Sequence, residues 1–238
     1  MIGSISEAIY NNFPHNYKIG KPIKLIFDLD CVLISDICPV SSKTGSYYNF
    51  DKILQNVGEG SVIESCGYYF YLYNGWKELI KYVMEISDNN LIFFSSGVRE
   101  RNEDIIPKML ERVLERDPTV YLRNNVKIFS RDHTIDTTHI SDADKEKFQP
   151  KIRGMYGQKK KDLRVIGSLE ELKHTLIIDD DESYTVLGQE KNLLKINGQR
   201  AVPFLRKYVK LPQDQKISLD EIRYYGEFRS MNKLFYAA

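Results

Sequence analysis

The chain has 238 residues, enough for one large domain or a domain with an appendage, and its 42% apolar content is ordinary for a globular protein. Its formal net charge of +1 gives no overall electrostatic support for binding a polyanion, so we expect no nucleic-acid partner. The three cysteines form no C-x-x-C pair, which argues against a disulfide framework or a zinc knuckle and favours a reducing, cytoplasmic compartment.

The first part of the chain predicts an extension, a buried strand and a loop-rich insert. Residues 1–22 are polar and punctuated by Pro and Gly, so we expect an N-terminal extension. Residues 24–27 are an apolar run typical of a buried parallel strand. Residues 34–73 show little periodicity, which predicts a flap that ends in a short aromatic strand over residues 68–73. Helical spacing of apolar residues then predicts a helix over residues 76–84.

The second part of the chain alternates strands with helices. A helix is predicted over residues 105–114, with Pro107 in its first turn, where proline is tolerated. A shorter helix and a turn at Gly167 are predicted within residues 162–172. Strands are predicted at residues 91–94, 126–129, 175–178 and 193–196, the last of them at the edge of the sheet.

This order of elements predicts an α/β fold, a Rossmann-like three-layer sandwich around a central parallel sheet, with a small flap inserted after the first strand. We expect the main domain to span residues 23–198, with residues 34–73 as its flap. Amphipathic patterns at residues 201–211 and 218–235 predict that residues 199–238 form a helical segment that packs on the sheet or extends from it. No apolar stretch approaches the ~20 residues that span a bilayer, so we expect no transmembrane segment.

Polar side chains follow three of the predicted strands where each strand ends. Asp28 and Asp30 come after the strand at 24–27, Ser95 follows the strand at 91–94, and Asp179 and Asp180 follow the strand at 175–178. Ligands bind beyond the carboxyl ends of strands in a parallel sheet, so these groups are predicted to share one edge. Two acids as close as the first pair repel each other unless a cation or a shared proton intervenes.

Phosphoryl transfer through an aspartyl-phosphate is the chemistry that needs these groups. A carboxylate can attack phosphorus, but charge repulsion opposes its approach by several kcal/mol at an effective dielectric of ~20. A divalent cation and a lysine, here from residues 159–161, would remove that penalty. Mg²⁺ prefers oxygen ligands, which Asp28 and Asp180 could supply as side chains and Asp30 as a backbone carbonyl. The Asp30 carboxyl could then act as acid and base, while Ser95 donates to a phosphate oxygen.

The motifs resemble those of the haloacid dehalogenase-like (HAD) phosphatase superfamily. The first motif of that superfamily, Asp-x-Asp-x-Thr/Val, matches residues 28–32, its second motif matches Ser95, and its acidic pair matches residues 179–180. Residues 160–180 are similar to the Lys-Asp-Leu…Gly…Leu…Val-Asp-Asp stretch of the RNA polymerase II C-terminal-domain phosphatase branch. Residues 94–97 are similar to the Tyr-Thr-Ala-Ser of that branch. The resemblance spans roughly residues 23–197.

The resemblance implies a Mg²⁺-dependent phosphatase with named roles for its residues. Asp28 is the expected nucleophile, Asp30 the acid and base, and Ser95 a phosphate ligand. Lys161 is the expected motif lysine because it directly precedes Asp-Leu, with Lys160 and then Lys159 as the alternatives. Ser96 and Arg131 are expected to bind substrate, with Arg131 as a candidate for a second phosphate or an acidic peptide. The expected metal ligands are Asp28, Asp30, Asp179 and Asp180.

A phosphoprotein or phosphopeptide is the expected substrate, because no separate cap domain is evident between the first and second motifs to close the cleft. Phosphotyrosine and phosphoserine or phosphothreonine both stay open. An aromatic flap would suit phosphotyrosine. The flap tyrosines are Tyr47, Tyr48, Tyr68 and Tyr69.

Several alternatives stay open on the sequence alone. A small-molecule phosphomonoesterase is the enzymatic alternative, and a non-catalytic phosphate-binding or signalling module is the other. Certain bacterial effector phosphatases share this core, which adds translocation into a host cell as an alternative location. His133 and His139 lie in an acid-rich loop, but their spacing fits neither an EF-hand nor a zinc motif, so a solvated loop is favoured over a second metal site.

Overall fold

The protein is described by a computed structural model that covers residues 24–37, 47–48, 59–73, 75–87, 90–137, 141, 159–195 and 209–210. Its strands in chain order are β1 (Lys24–Phe27), β2 (Ile34–Ile37), β3 (Tyr47–Tyr48), β4 (Val62–Ser65), β5 (Tyr68–Leu72), β6 (Leu91–Phe94), β7 (Val126–Phe129), β8 (Ile135–Asp136), β9 (Lys159–Lys160), β10 (Thr175–Asp179), β11 (Leu193–Lys195) and β12 (Val209–Lys210). Its α-helices are α1 (Trp76–Ile86), α2 (Arg99–Leu114), α3 (Thr119–Asn125) and α4 (Leu169–Leu172). Short 3₁₀ helices occupy Glu59–Ser61, Arg131–His133, Leu163–Val165, Glu182–Tyr184 and Glu190–Asn192.

Five parallel strands form the central sheet in the order β11-β10-β1-β6-β7. The inner strands consist of buried apolar residues on both faces, as expected for a parallel sheet covered from both sides. Because β1 lies between β10 and β6, the residues that follow these three strands meet at one edge. The predicted α/β fold, a Rossmann-like sandwich around a central parallel sheet, is confirmed.

Alternate residues of the inner strands pack into two separate cores. One core lies between the sheet, helices α1 and α2, and the flap strands, and it includes Phe27 and Phe93, whose rings lie 5.8 Å apart. The other core, on the opposite face, joins Ile26 and Phe94 to Leu163, Ile166 and Leu172 of the segment that contains α4. The sheet therefore forms the middle layer of three.

The flap contains a three-stranded antiparallel sheet in the order β2-β5-β4. Its apolar residues join the larger core, and Arg112 of α2 donates to the carbonyls of Gly60 (3.0 Å) and Val62 (2.9 Å). Cys66 and Gly67 connect β4 to β5 with φ angles of 51° and 75°, the left-handed conformation that a two-residue hairpin turn requires. The strand predicted over residues 68–73 corresponds to β5, whereas β2 and β4 were not predicted from the sequence.

Two predicted elements differ from the structure. Helix α2 begins at Arg99, so Pro107 lies inside the helix and not in its first turn. The helix continues through the proline because the buried residues on either side of it, Ile105, Ile106, Met109 and Leu110, pack against the sheet.

The predicted helix over residues 201–211 is wrong at β12, which pairs antiparallel with β3. The rest of that segment, residues 1–22 and residues 218–235 lie outside the described residues, and the domain boundaries stay predictions. Among the helices that the structure describes, none has the length and apolar character needed to cross a membrane.

Candidate active site

The ends of β1, β6 and β10 bring the predicted polar residues together. The backbone N–H of Asp28 donates to the carbonyl of Ile178 at 3.0 Å, which aligns the ends of β1 and β10. Directly after Asp30 the chain reverses through Cys31, whose φ of 61° is left-handed, and the N–H groups of Leu33 and Ile34 donate to the carbonyl of Leu29. This tight turn leads into the flap and leaves both acids at the sheet edge.

Lys161 forms a buried ion-pair cluster with two of these acids. Its Nζ lies 2.9 Å from Oδ1 of Asp28 and 2.6 Å from Oδ2 of Asp179, and at most 6% of any of the three side chains is exposed. Burial alone would lower the pKa of Lys161, but the carboxylates of Asp179 and Asp28 outweigh it and hold the pKa above its ordinary value. The ring of Tyr184 covers the ammonium, with its centroid 4.9 Å from Nζ.

The other two lysines of the run have different partners. Lys159 pairs with Asp136, and the ammonium of Lys160 donates to the carbonyl of Ser183. Burial lowers the pKa of Lys160. Of the three lysines that the sequence left as candidates, Lys161 is the one that contacts Asp28.

Asp30 belongs to a second ion-pair cluster, with an arginine that the sequence did not single out. Arg101 donates from Nη1 to Oδ1 of Asp30 at 2.7 Å and from Nη2 to Oδ2 at 2.8 Å. The Ser95 hydroxyl donates to the same Oδ2 at 3.2 Å and accepts from Nη2 of Arg101 at 3.0 Å. Burial alone would raise the pKa of Asp30, but Arg101 outweighs it and lowers the pKa. The Asp30 side chain remains 38% exposed, against 10% for Arg101, so the carboxylate is accessible from solvent.

Three acids form a candidate metal site beside Lys161. One carboxylate oxygen from each of Asp28, Asp179 and Asp180 lies within 4.8 Å of the others. Burial raises the pKa of Asp28 well above its usual range, and burial together with Asp179 and Asp181 raises the pKa of Asp180 to about 6. Burial is the main cause of both shifts, and the neighbouring acids add to it.

The charges and ligand atoms of the site fit a divalent cation. When all four are ionised, the carboxylates of residues 28, 30, 179 and 180 outnumber the two cations Lys161 and Arg101 by two. Oxygen-only ligands are what Mg²⁺ prefers. The Asp30 side chain lies outside the acid cluster and pairs with Arg101, so its predicted part as a carbonyl ligand stays a prediction.

Of the two remaining predicted residues, Ser96 lies in the loop after Ser95, and Arg131 lies in the 3₁₀ helix that follows β7. Nε of Arg131 donates to the carbonyl of Ser96 at 2.9 Å, and the N–H of Arg131 donates to the carbonyl of Gly97 at 2.9 Å. The Ser96 side chain bonds to the phenol of Tyr184. Arg131 therefore supports the loop, and the substrate-binding roles of Ser96 and Arg131 stay predictions.

The acid-rich loop with His133 has a local structural role. Nδ1 of His133 accepts from the N–H of Ser130 at 3.1 Å and so caps a 3₁₀ turn. His139 lies outside the described residues. In the parts of the chain that the structure describes, the only acid, histidine or cysteine cluster suited to a metal is the one around Asp28.

Comparisons with known proteins give weak similarities to solved structures. No protein-family model matches the sequence, and no curated protein matches it. One match is the structure of Fcp1, an essential RNA polymerase II CTD phosphatase, with 15% sequence identity and a TM-score of 0.37. That match covers 84% of this chain and 45% of the Fcp1 chain. A variant of fission yeast Fcp1 bound to beryllium fluoride is 14% identical with a TM-score of 0.39, and the match covers 96% of this chain and 53% of that one. The chain thus spans about half the length of these two chains, and similarities this weak assign no activity to it.

Proposed function

We propose that this protein is a Mg²⁺-dependent phosphatase of the HAD type, acting on phosphoproteins through an aspartyl-phosphate at Asp28. The observation that supports the proposal most is the juxtaposition of Asp28, Lys161 and the acids after β10 with Ser95 and Asp30 at one sheet edge. A purely structural ion-pair network could explain the burial of Lys161. It does not explain why four acids are gathered with only two cations at this edge.

The carboxylates of Asp28, Asp179 and Asp180 would hold Mg²⁺, because they offer hard oxygen ligands within one small space. The bound cation would neutralise the repulsion between the Asp28 carboxylate and an anionic phosphate. Asp179 is already oriented, since its Oδ1 accepts the N–H of Asp181 at 3.0 Å.

The reaction runs in two steps on the residues of this chain. Before the first step Asp30 takes up a proton from solvent as the anionic substrate binds, because Arg101 holds its pKa low in the free protein. In that step an oxygen of Asp28 bonds to phosphorus while the bond from phosphorus to the substrate oxygen breaks, and Asp30 gives this proton to the leaving oxygen. In the second step a water loses a proton to Asp30 and bonds to phosphorus, while the bond between phosphorus and Asp28 breaks. Lys161 supplies positive charge beside Asp28 and Asp179 throughout, and the Ser95 hydroxyl donates to a phosphate oxygen.

The preference for a phosphoprotein rests on access to the cleft. The Asp30 side chain is partly exposed, and the flap strands β2, β4 and β5 form a sheet that packs on the main core. A phosphorylated side chain on a polypeptide can reach such an edge. Tyr68 and Tyr69 of the flap are half-buried, and the choice between phosphotyrosine and phosphoserine is left to experiment.

Hydrolysis of para-nitrophenyl phosphate with and without Mg²⁺ tests the proposal. The wild type should be active with Mg²⁺ and inactive after chelation, and Asp28→Asn should lower kcat by at least ~10³-fold because the amide is not a nucleophile for phosphorus. Asp104→Asn, the same chemical change at a half-exposed residue of α2, is the matched control and should retain full activity. A phosphopeptide panel then separates phosphotyrosine from phosphoserine. Full activity in Asp28→Asn, or an inert wild type, would contradict the proposal.

A further inference from the structure

Arg101 is a buried arginine whose guanidinium meets both Asp30 and Ser95. It lies in the first turn of α2 and is 8% exposed. The guanidinium joins both oxygens of Asp30 and the Ser95 hydroxyl at distances of 2.7 to 3.0 Å. It also lies over the ring of Phe70, whose centroid is 5.7 Å from Cζ. One planar cation therefore contacts a carboxylate and a hydroxyl from two different strand ends, and the N–H of Gly97 also donates to that hydroxyl at 3.0 Å.

The chain leaves space for this guanidinium at Gly97. A Cβ atom added to Gly97 would lie 1.9 Å from Nη2 and 2.4 Å from Cζ of Arg101. The backbone of Gly97 is not in the left-handed region, so its conformation does not require glycine. The absence of a side chain at this position is explained by the arginine that fills the space.

A second residue holds the guanidinium from the opposite side. The Oδ1 atom of Asn102, which is fully buried, accepts from Nε of Arg101 at 3.1 Å and from Nη2 at 2.9 Å. The amide nitrogen of Asn102 in turn donates to the Ser130 hydroxyl at 2.9 Å. The rotamer of Arg101 is thus fixed by contacts on its carboxylate side, its amide side and its ring face.

We infer that Arg101 is a positioning residue for the proposed phosphatase, holding the Asp30 carboxyl toward the leaving oxygen and fixing Ser95 relative to it. The inference rests on the proposed function. A bidentate arginine fixes both the plane and the position of a carboxylate, which a lysine cannot do. Buried ion pairs contribute little net stability compared with apolar residues of the same volume, so stability alone explains Arg101 poorly. Misplacement of a reacting group by about 1 Å can cost ~10²-fold in rate.

Steady-state kinetics of Arg101 variants on two classes of phosphate ester test this role. We expect Arg101→Ala to lower kcat for para-nitrophenyl phosphate by about 10- to 100-fold with little change in KM. The loss should be larger for β-glycerophosphate, because its alkoxide leaves poorly and depends more on proton donation by Asp30. Arg101→Lys should recover only a small part of kcat, and added guanidinium ion at a non-denaturing concentration should partly restore Arg101→Ala. Gly97→Ala, which keeps the arginine but displaces it, should show the same dependence on the leaving group.

A matched control and a double variant separate positioning from folding. Arg112→Ala removes another arginine of α2, one that bonds to flap carbonyls, and should leave kcat unchanged. If Arg101 acts through Asp30, adding Arg101→Ala to Asp30→Asn should lower kcat by no more than about twofold further. Multiplicative losses in that double variant, or an equal loss on both esters, would overturn the inference. If the wild type is active and Arg101→Ala is equally active, the inference about Arg101 is wrong while the proposed function stands. If the wild type is inert, both the inference and the proposed function are wrong.

Discussion

Two clusters of cation and carboxylate lie side by side at the sheet edge, and they are built differently. In the first, Lys161 is shared between Asp28 and Asp179, and the side chains of all three are almost fully buried. In the second, Arg101 pairs with Asp30 alone among the four acids, and the carboxylate keeps an exposed side. The first cluster carries surplus negative charge, whereas the second is balanced.

The difference indicates that the Lys161 ammonium, a point charge, and the Arg101 guanidinium, a planar one, have different roles. A lysine ammonium can serve two carboxylates without fixing the plane of either, which leaves their oxygens available to a metal. An arginine fork fixes one carboxylate completely. The first cluster therefore suits metal binding and nucleophilic attack, and the second suits proton transfer at a defined position.

Removal of the shared cation should have the largest effect on stability. Lys161→Met leaves Asp28 and Asp179 buried without a counter-charge, so we expect a loss of about 3–5 kcal/mol in the free energy of unfolding, measured by urea denaturation in the absence of metal. Mg²⁺ should recover part of that loss, since it supplies positive charge to the same acids. Phosphatase activity should fall to background.

Lys160→Met is the matched control for that variant. Its ammonium donates to the carbonyl of Ser183 and not to the acid cluster, so we expect a change of no more than about 1 kcal/mol and retention of activity. Equal losses of stability in the two variants would contradict the distinction between these adjacent lysines.

Mg²⁺ should raise the melting temperature through the first cluster only. At a concentration 100 times its Kd, the ion adds about 2.7 kcal/mol to the free energy of unfolding. For a chain of this size, that gain corresponds to a rise of about 5–10 °C in melting temperature at pH 7. The pKa of Asp180 is raised to about 6, so at pH 5 binding must displace a proton and the affinity falls about tenfold. The shift in melting temperature at a fixed Mg²⁺ concentration should therefore be smaller at pH 5 than at pH 7.

Two variants test whether the Mg²⁺-induced shift in melting temperature arises from the Lys161 cluster and not from the Arg101 cluster. Asp180→Asn should abolish most of the Mg²⁺-induced shift, whereas Asp30→Asn should keep it, because Asp30 pairs with Arg101 outside the acid cluster. A shift that disappears equally in both variants would show that the two clusters form a single metal site.

The smallest expected effect is a gain of stability on neutralising Asp180 without metal. The folded-state pKa of about 6 lies above the ordinary aspartate value of 3.8, so the wild type loses stability as the pH rises from about 4 through 6. The Asp180→Asn variant has no titrating group at this position, so its stability does not fall over this pH range for that reason. Asp180→Asn should therefore be more stable than wild type by about 1 kcal/mol at pH 7.5, after allowance for solvent screening, and by almost nothing at pH 4. Urea denaturation at the two pH values measures this, and a difference independent of pH would contradict the assigned cause.

The strands and their acids were predictable because both signals are local. An apolar run that ends in carboxylates identifies β1 and β10, and the parallel topology then places Asp28 near Asp179. The flap strands were only partly predictable, since β2 pairs with β5 across more than thirty intervening residues, and short segments give no signal for such pairing.

The choice of lysine and the presence of Arg101 required the structure. Lys160 and Lys161 are adjacent in extended backbone, where neighbouring side chains point to opposite sides, so composition cannot distinguish them. Arg101 stands in a charged run at the start of a helix, a pattern that usually marks a solvated surface. Its partner Asp30 lies 71 positions away in sequence.

The position of β1 in the middle of the sheet also bears on how the protein opens. Local unfolding begins where elements fray, and in this sheet the edge strands are β11 and β7. Asp28 and Ser95 directly follow two of the inner strands, and Asp179 is the last residue of the third, so fluctuations that release either edge leave their relative positions largely unchanged. Amide hydrogens at the ends of the inner strands should thus exchange only in rare, near-global openings, and the site should persist for as long as the folded chain itself.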